Sequence, residues 1–272
     1  MPVSSTGLTN HVKRLNLFVK GNVDVHDSLH SCRIGSELVW NGVNEILRLT
    51  HPGCLARIRH ETWNRSDALL QAEGRVPDEL ALRHLPLGAY PEESQFSRAI
   101  FESKADAIIL STQPDIAAGL MRHRREGFLF YANDHEAWNP ADRQWLQTEF
   151  EATGRLEVAQ SMANFEAIIV RIRERSEAPI LIYNLSAITP GETIHCHLGL
   201  GEAYSTRIRR FNLGLIELSE RTGISIIDVD SLLARQGADG LKLDMVHLTP
   251  AGYRLVAEEV VRVLGESGLL DD

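Results

Sequence analysis

The sequence predicts an α/β fold, a three-layer doubly wound sheet of about five parallel strands. Three observations carry this. Asp106–Ser111, Pro179–Asn184 and Ile224–Val229 are short apolar runs without a polar face, the mark of strands buried on both sides. Stretches of helical periodicity lie between and after them, at 141–175, 204–222 and 248–265. Strand and helix alternate along the chain, as a parallel sheet with helical crossovers requires.

Each element has a local reason. Residues 1–13 read as a leader ahead of the first strand, Leu15–Val19, which ends at the turn pair Gly21-Asn22. A helical stretch is expected from Ser28 to Leu49, closed by His51-Pro52-Gly53. Cys54–Ile58 then reads as a second strand. From 64 to 104, Gly74, Pro77, Pro86, Gly88 and Pro91 break the chain into short helices. Phe128–Tyr131 reads as a strand or a buried turn. Trp145, Leu146, Phe150, Met162, Phe165 and Ile169 mark a helical segment that Gly154 splits in two. Gly223 suits the C′ position of the 204–222 helix. No repeat or linker is evident, so residues 14–272 are expected to form one domain with insertions at about 59–104 and 186–202.

Composition narrows the function. Among 272 residues, 43% are hydrophobic and 24% charged, enough for a sizeable core. A net charge of −9 argues against nucleic-acid or anionic-membrane partners. Cys32, Cys54 and Cys196 are too few and scattered for a disulfide framework. No 18-residue apolar run and no signal region occur, so a cytoplasmic protein is expected.

The chemistry concentrates near the C-terminus. Asp244 and His247 lie three residues apart, just before a helix start where Thr249 suits the N-cap and Pro250 the first turn. On a loop the two side chains can meet. The acid would then hold Nδ1 and leave Nε2 as a general base. In a parallel sheet, ligands bind beyond the carboxyl ends of the strands. The Gly21 turn, the Ser111–Asp115 segment, the 185–202 loop and the Asp244 loop are therefore expected on one rim.

Asp244, His247, Thr249, Gly252 and Tyr253 resemble the last block of the SGNH (GDSL-type) hydrolases, where Asp-x-x-His precedes a final helix. The resemblance implies a flavodoxin-like sheet and hydrolysis or transfer of an acyl group from an ester or thioester. It implies no cofactor and a small-molecule or acyl-carrier-linked substrate. The family's first strand runs into Gly-Asp-Ser-Leu, and two alignments compete for that serine. One sets Gly21-Asn22-Val23 against Gly-Asp-Ser and puts valine in the nucleophile slot. The other sets His26-Asp27-Ser28-Leu29 there and makes Ser28 the nucleophile. The family's Gly-x-Asn-Asp block becomes Ser111-Thr112-Gln113-Pro114-Asp115. The Gln113 amide and backbone N–H groups near Gly21 and Asn22 are then the candidate oxyanion donors. One well-placed donor is worth roughly 3 kcal/mol.

Two other classes stand beside this reading. Asp24, His26, Asp27 and His30, with His195-Cys196-His197 and Asp134-His135-Glu136, faintly resemble a dinuclear metallophosphoesterase set. With Val23 in the nucleophile slot, the chain could instead be a binding module on the same fold.

Overall fold

The computed structural model describes residues 12–34, 36–192 and 202–271. Strand β1, Lys13–Lys20, leads through Gly21-Asn22 into helix α1, Val23–Leu29. The expected 28–49 helix is thus corrected: α1 begins five residues earlier and stops at Leu29. A hairpin of β2, Cys32–Ile34, and β3, Glu37–Trp40, intervenes before α2, Val43–Thr50. The run Leu38-Val39-Trp40 favours strand over helix. Helix α2 starts at Gly42, whose φ of 66° suits glycine.

Strand β4, Cys54–Glu61, outlasts its expected end and takes in His60. Short helices follow: α3, Ser66–Gln71, α4, Asp78–Ala81, and α5, Glu92–Gln95. Strand β5, Ala107–Ser111, runs into α6, Gln113–Ala117. Strands β6, Met121–His123, β7, Leu129–Phe130, and β8, Phe150–Ala152, form a small antiparallel sheet, of which the sequence pattern predicts only the 128–131 segment, as a strand or buried turn. Helix α7, Pro140–Glu149, and helix α8, Val158–Arg173, flank the break at Gly154. Strand β9, Ile180–Tyr183, α9, Tyr204–Thr222, β10, Ser225–Ile227, α10, Val229–Gln236, and α11, Pro250–Glu266, complete the chain.

The main sheet has the order β10-β9-β5-β1-β4, and every pairing is parallel. Counted among themselves along the chain, these strands run 2-1-3-4-5, the flavodoxin-like order. Side chains alternate between two cores, as a strand's period of two demands. Leu17, Val19, Ile109, Leu181 and Tyr183 face α1, α2, α10 and α11. Phe18, Ile108, Leu110, Ile180 and Ile182 face α3, α8 and α9.

The 59–104 segment does not stand alone. Leu80, Leu87 and Phe96 share a third core with Phe130, Trp138 and Phe150 from the β6–β8 region. The first residues of the expected leader, 1–11, lie outside the described residues, and Lys13 is already in β1. Among the described residues, no helix is long and apolar enough to cross a membrane.

Gly42 offers a stability test. A Cβ there would lie 2.2 Å from the Leu29 carbonyl oxygen, at a positive φ. Gly42→Ala is expected to cost about 2 kcal/mol or more, since strain at such a position adds to the clash. Urea unfolding measures it, and an unchanged midpoint would contradict this account of the α2 start.

Candidate active site

The reversal of strand order falls between β1 and β5, so the crevice opens beyond Lys20 and Ser111. Asn22 spans it. Its Nδ2 donates to Gln113 Oε1 at 3.1 Å, and its Oδ1 accepts from the Trp63 N–H at 3.3 Å. Both predicted backbone donors are already committed. The Gly21 N–H goes to the Glu61 carbonyl at 3.3 Å, and the Asn22 N–H to Asp24 Oδ1 at 3.2 Å. They are therefore not free for an oxyanion, a correction to the sequence expectation. Gln113 keeps its Nε2 end for donation and lines a cavity of about 80 Å³ with Asn22, Asn64, Tyr90 and Tyr131.

Asp24 is buried in the first turn of α1. Its Oδ2 accepts from the Ser111 hydroxyl, whose oxygen in turn accepts from the Gln113 N–H at 2.9 Å. Burial pushes the Asp24 carboxyl up to about 6, against the hydrogen bonds from Ser111 and nearby backbone N–H groups. Asp24 also lines a cavity of about 10 Å³ with Asn184, Ser186, Lys242, Met245 and Val246. This brings the first-strand turn and the C-terminal loop onto one rim.

The C-terminal pair meets as the spacing predicts. His247 Nδ1 lies 2.6 Å from Asp244 Oδ2. Asp244 Oδ1 accepts from the Val246 and His247 N–H groups, each at 2.8 Å. Slight burial pushes the Asp244 carboxyl up, but these hydrogen bonds and His247 hold it below its ordinary value. About half of each side chain is exposed, so Nε2 is reachable from solvent. The loop closes through a Lys242–Leu248 bridge and a Leu243 N–H to His247 carbonyl bond at 2.9 Å. Behind it, Thr249 caps α11 by accepting from the Gly252 N–H at 3.3 Å. Gly252 permits close packing, since a Cβ there would sit 2.7 Å from the Leu241 carbonyl oxygen.

Ser28 is not part of this arrangement. It is fully buried, its hydroxyl donates to the Val25 carbonyl at 3.0 Å, and it lies 3.1 Å from the Tyr183 hydroxyl. A nucleophile must reach both base and substrate, and this oxygen faces the core beneath α1. The residue directly after the Gly21-Asn22 turn is Val23, half-buried at the first position of α1. The alignment that puts valine in the nucleophile slot therefore fits the fold.

Val23 opens on a cavity of about 440 Å³ lined also by His26, His30, His60 and Tyr90. The three imidazole centroids lie 4.7 to 5.5 Å apart. Four of their six nitrogens are engaged locally. His60 Nε2 lies 2.9 Å from the Gly21 carbonyl, His30 Nε2 lies 3.1 Å from His60 Nδ1, and His26 Nδ1 lies 2.6 Å from Asp27. Burial and the neighbouring rings lower His30 to about 4. Burial also lowers His60, against the pull of the Gly21 carbonyl. Among the described residues no group of three His, Cys, Asp or Glu side chains is disposed to hold a metal ion. Asp134, His135 and Glu136 are exposed at a short turn before α7. His195, Cys196 and His197 lie outside the described residues.

Comparison with known proteins gives a family match over part of the chain and a shared fold over nearly all of it. The family model described as GDSL-like lipase/acylhydrolase matches residues 129–255, which include Asp244 and His247. Gly21–Val23 and Gln113 fall outside the matched segment. The fold is similar to that of LAE5, an alpha/beta hydrolase enzyme from the metagenome of Lake Arreo, Spain. The two are 15% identical, the TM-score is 0.51, and 97% of this chain and 99% of that one are covered. It is also similar to Axe2, an acetylxylan esterase from Geobacillus stearothermophilus. Here identity is 11%, the TM-score is 0.51, and coverage is 94% of this chain and 96% of that one. No curated protein matches the sequence. The chain thus shares its fold with these two enzymes over nearly its whole length, and is similar in sequence to the GDSL-like lipase/acylhydrolase family over residues 129–255.

Asp24 generates a test of the rim's electrostatics. Its native carboxyl titrates near 6 and an unfolded one near 3.8, so the native state keeps the extra proton between these values. Its contribution to stability therefore falls as pH rises through that window and then levels off. Relative to the parent protein, Asp24→Asn is expected to gain about 2 to 3 kcal/mol between about pH 4 and about pH 7. Urea unfolding at both values reads the difference, and parallel stability curves would contradict it.

Proposed function

We propose that this protein hydrolyses an ester or thioester bond of a small-molecule or acyl-carrier-linked substrate, with His247 as general base on a water molecule. The observation that carries this is the 2.6 Å contact between Asp244 and His247, with the other carboxylate oxygen held by two backbone N–H groups. Asp244 accepts from Nδ1–H and stabilises the imidazolium, so Nε2 faces solvent as the base. Water attacks the acyl carbon and its proton passes to Nε2. The carbonyl electrons collect on the oxyanion, to which the Gln113 amide N–H donates in this reading. When the intermediate collapses, the acyl–oxygen or acyl–sulfur bond breaks, and Nε2–H returns the proton to the leaving group.

Direct attack by water suits a site with Val23 after the first-strand turn and Ser28 in the core. Val23 also favours a second reading, in which the crevice binds an acyl compound without turning it over.

Hydrolysis of p-nitrophenyl acetate and butyrate tests both. His247→Ala is expected to lower kcat/KM by about 10² to 10⁴, the usual worth of a general base. Ser28→Ala is expected to keep turnover within about threefold, because it removes no reacting group. Quenched mass spectrometry is expected to find no acylated protein. A trapped acyl group on Ser28 would overturn water attack. A parent protein no faster than buffer would favour the binding reading.

A further inference from the structure

We propose that Lys242 is the positioning residue of the Asp244–His247 pair, its buried ammonium clipping their loop onto the segment that leaves β9. The inference rests on the reading of His247 as the base. Lysine in Leu241-Lys242-Leu243 would ordinarily point its charge into water. Here its side chain is 6% exposed. The ammonium meets three backbone carbonyls, Ser186 at 3.2 Å, Ile188 at 2.5 Å and Met245 at 3.2 Å. An ammonium has three donors and no acceptor, so this set satisfies it completely.

The placement of those carbonyls gives the contact its meaning. Ser186 and Ile188 follow β9, and Met245 lies between Asp244 and His247. The β9 exit is a firm anchor. The Ala187 N–H donates to Asp230 Oδ1 at 2.7 Å, and the Asp230 N–H to Asn184 Oδ1 at 3.2 Å. The loop carrying the pair is otherwise closed at its neck, and both functional side chains stand about half in solvent. Burying a charge costs free energy unless it is fully hydrogen-bonded. Without the ammonium, three carbonyl oxygens would face one spot with no donor. Burial lowers Lys242 to about 8, and the charges of Asp230 and Asp244 oppose that fall. Lys242 touches no reacting atom. It acts through the backbone of Met245 on where His247 Nε2 lies.

Lys242→Met in the full chain keeps the stem and removes the donors. Displacing a base by about 1 Å can cost up to about 10²-fold. The variant is therefore expected to lose at least about tenfold in kcat for p-nitrophenyl acetate, with KM within about twofold. The downfield proton resonance of the His247 Nδ1–H bonded to Asp244 is expected to broaden or disappear. Lys242→Arg, which keeps donors, is expected to restore part of both signals. Parental kcat together with an unaltered His247 resonance in Lys242→Met would overturn the proposal. The resonance needs no turnover, so a parent protein inactive on every ester would sink the hydrolase reading and leave the clip testable. Should Lys242→Met fail to fold, amide hydrogen exchange in the parent protein decides. The Val246 and His247 amides are expected to be protected like that of Ala187, and exchange at the free-peptide rate would overturn the clip.

Discussion

Burying both faces of a five-stranded parallel sheet is the constraint on which the rest depends. Alternate side chains of β1, β5 and β9 fill two apolar cores, so little chemistry can sit along the strands themselves. Polar groups collect where the strands end. The order reversal between β1 and β5 then leaves a crevice at one rim, and the Asn22–Gln113 hydrogen bond crosses it. Polar residues buried below the rim are held by one another. Asp115 on α6 accepts from Ser66 on α3 and Ser161 on α8, which ties three helices to the end of β5.

The rim has two halves of different character. Around the first-strand turn, Asn22, Asp24, Ser111 and Gln113 satisfy one another in a largely closed network. At the C-terminal loop, Asp244 and His247 pair yet stay open to solvent. The family match covers the second half of the rim and not the first. A network that has committed its backbone donors, beside a valine, is poorly suited to hold a covalent acyl intermediate. An oriented imidazole with a free edge is well suited to activate water.

Legibility in the sequence follows the range of the interactions. The Asp244–His247 contact spans three residues, so spacing and the helix start at Thr249 disclosed it. The buried strands were legible because an apolar run between helical segments is a local pattern. The α1–hairpin–α2 region was misread as one helix because Leu38, Val39 and Trp40 fit either periodicity over so short a window. Helix α10 was not anticipated, and the β6–β8 sheet is assembled from pieces of two or three residues, too short for a period of two to register. Ser28 matched a motif in letters, but α1 starts at Val23 and turns that hydroxyl toward Tyr183.

From the sequence alone came the α/β class, the five parallel strands and the acid–imidazole pair, because periodicity and short spacing act within a few residues. Tertiary structure alone decided that Val23 and not Ser28 borders the crevice, and that Gly21 and Asn22 have no backbone N–H to spare. It alone placed Lys242 beneath the pair. Those outcomes depend on hydrogen bonds and burial between segments such as 22 and 113, or 242 and 186, which come together only when the sheet forms.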